Sequence, residues 1–268
     1  MDFATVGGVV LAVASLVIAF VVEGGTVMAL LQPTAALIVF GGTLGAALTS
    51  VSMSQFLSIG KYLKVALFHR ASDSLATIDQ LVELAVVARR EGILALEERG
   101  ASFTDEFLRN GIQWIVDGVD PELVKSMMET ELSYLEERHE SAAGLFEAAG
   151  GYAPTMGIIG TVMGLVHVLS NLNSVDTLGP KIAVAFIATL YGVASANVFW
   201  LPIASKLKRR NEEEVLLKEI VMEGVLSIQA GENPNVLRQK LTTFLAPKAR
   251  ERRKSREAGE ADAQTAEA

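Results

Sequence analysis

Four long apolar runs interrupt an otherwise charged chain, at residues 6–22, 34–51, 152–172 and 180–204. Crossing a hydrocarbon core of about 30 Å takes roughly 20 helical residues at about 1.5 Å rise each. Each run is therefore predicted to be a membrane-spanning helix. The first has no basic flank, with Asp2 where a signal peptide would carry lysine, and a second run follows almost at once. It is read as a retained span. In the second run, Pro33 sits at a first helical turn, and Gly41 and Gly45, beside Gly42 and Ala46, form a small-residue face expected to bring another helix close.

Between and after these runs the polar segments follow helical periods. Ser72 or Asp73 can cap a helix whose apolar positions Leu75, Ile78, Leu81, Val82, Leu84, Ala85 and Ala88 recur at 3.6 residues, ending near Gly100. A second helix is expected over 104–116. Asp120, Pro121 and Glu122 combine a cap, an N1 proline and an acid at the positive helix end. The acidic helix they open (Glu129, Glu131, Glu136, Glu137, Glu140) is expected to run into the third span. After the fourth span the helix continues to about residue 229, breaks at Gly231 to Pro234, and a short amphipathic helix reaches about 245.

The expected fold is thus an all-α integral membrane protein. Spans one and two occupy 1–52, a helical cytoplasmic domain 53–150, spans three and four 151–204, cytoplasmic helices 205–246, and a disordered tail 247–268. The 53–150 segment buries little core alone and is expected to stack on span extensions or neighbouring copies.

Charge sets the orientation. The first base is Lys61, followed by Lys64 and Arg70, and Lys206, Lys208, Arg209 and Arg210 follow the fourth run. The loops at 23–28 and 173–179 hold no base and one acid each, Glu23 and Asp176. By the positive-inside rule both termini and both long segments are cytoplasmic, and almost nothing protrudes outside.

Composition removes several function classes. Half of the residues are hydrophobic and mean hydropathy is +0.37. There is no cysteine, so disulfides and thiolate chemistry are excluded. A net charge of −8 argues against a nucleic-acid binder. His69, His139 and His167 are scattered, and the glutamates around His139 read as a solvated helix face. No phosphate loop, metal cluster or catalytic set is visible, so no enzyme and no cofactor is expected beyond a transported ion.

The third and fourth runs hold the candidate chemistry. Gly157, Thr161, Gly164 and Val168 share one face of the third; Ala185, Thr189, Gly192 and Ala196 share one face of the fourth. The two threonines either satisfy their own i−4 carbonyls as packing residues or offer hard oxygens to a passing cation. His167 serves either an ion path or helix–helix hydrogen bonding. Pro154 and Pro202 stand at the cytoplasmic ends, where each removes a backbone donor. Neither run contains an acid, so an ion-binding carboxylate would have to come from another polypeptide. With so little chain outside, that partner would also supply any external anchor.

Several stretches carry a family resemblance: Ala88 to Glu97 (Ala-Arg-Arg-Glu-Gly-Ile-Leu-Ala-Leu-Glu), Met127 to Glu131 with Glu137 to His139, Tyr152 to Gly157, and Leu201 to Arg209. Over residues 1–245 the sequence resembles the MotA/PomA family of flagellar motor stator subunits. The resemblance implies a homopentameric ring in the bacterial inner membrane around two copies of a MotB/PomB-type single-span partner. That partner carries the ion-binding aspartate and a peptidoglycan anchor, and the ring drives the rotor protein FliG. It implies an ion pathway through Thr161, Thr189, Gly157, Gly164, Ala185 and Gly192. It further implies conformational coupling at Pro154 and Pro202, and rotor contact through Arg89, Arg90, Glu97 and Glu98. Arg89 and Glu97, eight residues apart, are expected on one helix face. The threonine pair is similar to sodium-driven members, whereas the opening spans and 206–227 resemble proton-driven ones; sodium is favoured. The alternatives are a proton-driven stator or an ExbB/TolQ-like energiser, against which four spans and the paired charges weigh.

Overall fold

The computed structural model describes residues 3–68, 73–100, 103, 105–170, 178–247 and 250. The loop carrying Asp176, His69 and nearly all of the tail lie outside the described residues. Helices account for all the regular structure among the described residues.

Helix α1 (Phe3–Val22) is followed by a 3-10 turn at Val27–Leu30. Helix α2 starts at Pro33–Ala36, widens to a π turn at Leu37–Gly41 and ends as Gly42–Ser50. Two short helices come next, α3 (Met53–Leu57) and α4 (Ile59–Phe68), then α5 (Ser74–Glu91), a 3-10 turn at Ile93–Ala95, α6 (Leu96–Gly100) and α7 (Glu106–Val116). Helix α8 (Pro121–Leu169) runs 49 residues with Pro154 inside it. Helix α9 runs from Leu178 to Gln229 with a π turn at Ala196–Trp200, and α10 (Pro234–Thr242) closes the described chain. Four helices are long and apolar enough to cross a membrane: α1, α2, α8 and α9.

The chain forms two compact units, residues 1–70 with 138–211, and 71–137 with 212–268. One boundary follows α4, and the other two fall within α8 and α9 rather than at span ends. The sequence reading grouped the cytoplasmic helices differently, into 53–150 and 205–246.

In the first unit α1 has no buried position in its apolar stretch, and Leu11, Ile18, Val166 and Phe186 are all exposed. That pattern fits helices whose outer faces meet lipid or other helices. The Tyr191 hydroxyl ties α9 to the α1–α2 connection, donating to the Leu30 carbonyl and accepting the Gln32 N–H at 3.1 Å. A core of Ala143, Phe146, Ala149, Ala153, Trp200, Ile203 and Leu207 joins α8 to α9, and Lys208 meets Glu147 at 2.7 Å.

Of the small residues expected to face another helix, Gly42 makes the approach: a Cβ there would come within 2.8 Å of Met156 Sδ, whereas one on Gly41 or Gly45 would meet no other helix among the described residues of this chain. The π turn just before Gly42 shifts which glycine meets α8, and a sequence pattern cannot register that.

The second unit has its own core. Ile78, Leu81, Leu96, Leu108, Ile112, Val124, Met128, Ile220, Val225, Leu237 and Leu241 are all buried together, each apolar side chain contributing roughly 1.5–3 kcal/mol. The N-terminal caps explain the boundaries: Asp73 accepts the Leu75 N–H at 3.0 Å and Asp105 the Phe107 N–H at 2.9 Å. Lys218 reaches Asp105 at 2.7 Å, joining the end of α9 to α7. The core that residues 53–150 lack is therefore completed by α9 and α10 of the same chain.

Candidate functional site

The close approach of α8 and α9 follows from their small residues. A Cβ on Gly157 would lie 2.8 Å from the Ala188 carbonyl oxygen and 3.0 Å from Thr189 Cα; one on Gly192 would lie 2.4 Å from the Ala153 oxygen. At Gly160 and Gly164 it would meet the Cβ atoms of Ala188 and Ala185, each at 2.6 Å. Backbone blocks most of these positions, so only glycine permits this separation.

That contact brings the two threonines together. Thr161 Oγ1 and Thr189 Oγ1 are 2.6 Å apart. Thr161 Oγ1 also lies 3.2 Å from its own i−4 carbonyl, Gly157 O, and 3.0 Å from Ala185 O on the other helix. Thr189 Oγ1 is 3.4 Å from Gly157 O. Two hydroxyls and two carbonyls thus converge, half-buried between the helices. Thr189 does not bond its own i−4 carbonyl; Thr161 takes it. The pair is an interhelical oxygen cluster rather than two self-satisfied side chains. Its composition suits a hard cation, and no carboxylate belongs to it.

His167 is exposed and lines a cleft of about 290 Å³ with Thr34, Met163 and Lys181. Neither threonine lines that cleft. Lys181, which the sequence reading passed over, puts a positive charge there; its place three residues into α9 was the available signal.

The two prolines have different local effects. Pro154 lies within the unbroken α8. At Pro202 the missing N–H and the ring's clash with the carbonyl four residues back go with a local change in the hydrogen-bond ladder that Pro154 does not show. The Leu201 N–H instead reaches back five residues to Ala196 O, giving the π turn.

The charged positions are rearranged relative to expectation. Helix α5 stops at Glu91, not near Gly100, because Gly92 has φ +91°, a conformation that favours glycine. Arg89 and Arg90 close the last turn of α5, while Glu97 and Glu98 open α6. They do not share a helix face; they flank a bend, and all four are exposed. Arg99 holds α6 to α5 through Glu83 at 3.1 Å. Leu94, 72% exposed at the bend, was not singled out in the sequence; its exposure follows from the turn that Gly92 opens. His139 hydrogen-bonds Asn211 at 3.1 Å rather than facing only solvent, and no metal-binding group of side chains occurs among the described residues.

Two family models match the chain, that of the MotA/TolQ/ExbB proton channel family over residues 100–220 and that of the motility protein A N-terminal region over 6–92. Motility protein A of Bacillus subtilis is 44% identical over 189 residues, covering 69% of each chain. The solved structure of C. jejuni MotAB superposes with a TM-score of 0.88 at 34% identity, over 92% of this chain and 97% of that one. The flagellar MotAB stator complex from Bacillus subtilis gives 0.87 at 37% identity, over 93% and 98%.

Proposed function

The chain belongs to the motility protein A family of flagellar motor stator subunits, and we propose that it conducts sodium ions with a single-span partner and turns that flow into torque. On this reading five copies surround two copies of a MotB/PomB-type subunit in the inner membrane, with both termini of each copy cytoplasmic. The carrying observation is the Thr161–Thr189 cluster at an interhelical contact with no acid of its own. Four oxygens can steady a partly dehydrated cation but not neutralise it, so the partner's aspartate supplies the charge. Gly157, Gly164, Ala185 and Gly192 hold the two helices close enough for the cluster to exist.

Pro154 and Pro202 are the coupling points of this reading. The π turn before Pro202 stores an extra residue that one helix can take up or release as the ring moves. The exposed bend of Arg89, Arg90, Leu94, Glu97 and Glu98 is the proposed rotor contact, with FliG as its target. Charge on both flanks of an apolar tip suits a contact made and broken repeatedly.

A proton-driven stator is the second reading. It is favoured by the hydrogen bonds that already engage both hydroxyls, Thr161 with Gly157 O and Ala185 O and Thr189 with Thr161 and Gly157 O. Cation flux into proteoliposomes tests the proposal. The chain co-reconstituted with its partner should pass sodium and the chain alone neither ion. Flux without a partner would overturn the shared-site account, and proton flux indifferent to sodium would favour the second reading.

A further inference from the structure

Backbone N–H and C=O groups shielded from water need partners within the protein, and the α1–α2 connection cannot supply all of its own. Leu31 (φ −91°, ψ 91°) and Gln32 (φ −120°, ψ 100°) are extended, and Pro33 has no N–H to give. Tyr191 fills the gap from α9. Its hydroxyl donates to the Leu30 carbonyl and accepts the Gln32 N–H at 3.1 Å, and no other side chain among the described residues bonds either group. Its ring centre lies 6.0 Å from that of Phe40, the planes tilted by 30°, against the middle of α2. Leu30, Gln32 and Tyr191 are all half-buried.

This staple stands beside the oxygen cluster. Tyr191 follows Thr189 by two residues, and at about 100° per residue that turns it to the other side of α9. Thr189 meets α8, while Tyr191 meets α2 and the connection before it. Between them α2 is packed onto α9: Ala35 and Val39 are buried with Ala188, and Ile187 and Tyr191 lie against the same group. Ala188 is pressed in turn on α8. Its carbonyl oxygen stands 2.8 Å from where a Cβ on Gly157 would be, and its own Cβ 2.6 Å from one on Gly160. A Cβ on Gly160 would also lie 3.3 Å from Ile38 Cγ2 of α2. Helix α2 thus backs α9 against α8 at the level of Thr161 and Thr189, and Tyr191 ties the start of α2 to α9.

A set of oxygens discriminates between alkali cations through their number and spacing, as far as the surrounding structure holds that spacing. Thr161 Oγ1 and Thr189 Oγ1 stand 2.6 Å apart, so an ion seated between them must spread them, and the backing by α2 limits how far. We propose that Tyr191 is a specificity-determining positioning residue. By pinning α2 to α9 it holds that spread to a size that admits sodium and penalises the larger potassium. The proposal rests on the sodium-conduction reading above, with the partner supplying the negative charge. Tyr191 touches no ion itself; it acts through α2, Ala188 and the contact of α9 with α8.

The full chain with its partner is reconstituted in proteoliposomes, and initial sodium and potassium fluxes are measured over a concentration series at one membrane potential. Tyr191→Phe keeps the ring against Phe40 and removes only the hydroxyl. Its half-saturating sodium concentration should rise about threefold, the equivalent of one average interhelical hydrogen bond in a membrane. The sodium-to-potassium ratio should fall by a similar factor, while the maximal rate per complex stays near the parent's. Para-aminophenylalanine at 191 restores a donor for the Leu30 carbonyl and should bring both values back toward the parent. If Tyr191→Phe does not assemble, Ala35→Gly loosens the same contact from the α2 side and should lower the ratio in the same way. A ratio and half-saturation unmoved in whichever variant assembles would overturn the assignment. So would a fall in maximal rate alone, the mark of a plain structural brace. A parent that passes no sodium sinks the conduction reading and this proposal with it; a sodium-passing parent whose ratio the variant leaves alone sinks this proposal only.

Discussion

Thr161 Oγ1 sits within 3.2 Å of three other oxygens, one on its own helix and two on α9. Thr161→Val keeps the shape and removes the hydroxyl. Interhelical hydrogen bonds within membranes contribute about 0.6 kcal/mol on average and 1.7 at most, so the variant should still fold and assemble. If sodium drives it, as proposed, rotation should fall several-fold at normal membrane levels, measured by tethered-cell speed alongside immunoblotting; loss of the protein from the membrane would indicate a packing role instead. A second residue-scale expectation concerns Lys240, whose ammonium is held above its ordinary 10.5, chiefly by the hydrogen bond it donates to the Glu223 carboxylate, with burial opposing and Glu232 adding. A lysine raised on folding stabilises fully below 10.5 and loses that contribution as pH climbs through the higher folded value. Thermal unfolding of the solubilised protein should therefore be level up to about pH 10 in this respect and weaken above it. Lys240→Met should show a lower midpoint and a shallower alkaline fall, and an unchanged alkaline slope would contradict the assignment. Thr161 and Thr189 could be placed on facing stripes from spacing alone, since 3.6-residue periodicity is a local property. That Thr161 would take the carbonyl four residues before Thr189 was not legible, because it depends on the vertical offset of two helices.

At the scale of elements, the sequence located all four spans and, through caps and prolines, which act within one turn, the starts of α2, α5, α8 and α10. It misjudged where helices change course. Gly92 looked like a tolerated glycine inside a periodic helix, yet its positive φ ends α5 and turns a presumed face into a bend. The two π turns were also invisible, although Pro202 carries the physical reason for one of them. Restoring the missing donor with Pro202→Ala should let a regular turn form. Each residue then rotates about 100° relative to the preceding span, turning Ile203, Ala204 and Leu207 out of their core. Membrane insertion should persist while motility drops, and a variant swimming normally would remove Pro202 from the coupling. Gly157→Val should be harsher. Its side chain would press on the Ala188 carbonyl and Thr189 Cα, costing about 1–3 kcal/mol by overpacking. A lowered melting midpoint of the purified complex is the readout.

For the whole molecule, the exposed apolar faces of α1, α8 and α9 and the absence of any acid in the spans belong together. On the proposed reading, a chain built this way gains stability from neighbours and its ion site from a partner. The sequence made the deficit plain, because a missing carboxylate is a matter of composition. The way polar segments from two distant stretches share one core was not, because the shared core depends on contacts more than 100 residues apart, such as Lys218 with Asp105. Charge reversal at the bend, Arg89→Glu, should lower torque while leaving partner association intact by co-purification. Restoration of torque by a compensating reversal on the rotor would support direct contact. The most direct test of the account remains rotation speed against sodium concentration at constant membrane potential, in cells whose only stator is this chain with its partner. Speed should rise and saturate with sodium in the parent and lose that dependence in Thr161→Ala/Thr189→Ala; a parent indifferent to sodium, or a double variant with an unaltered sodium curve, would contradict it.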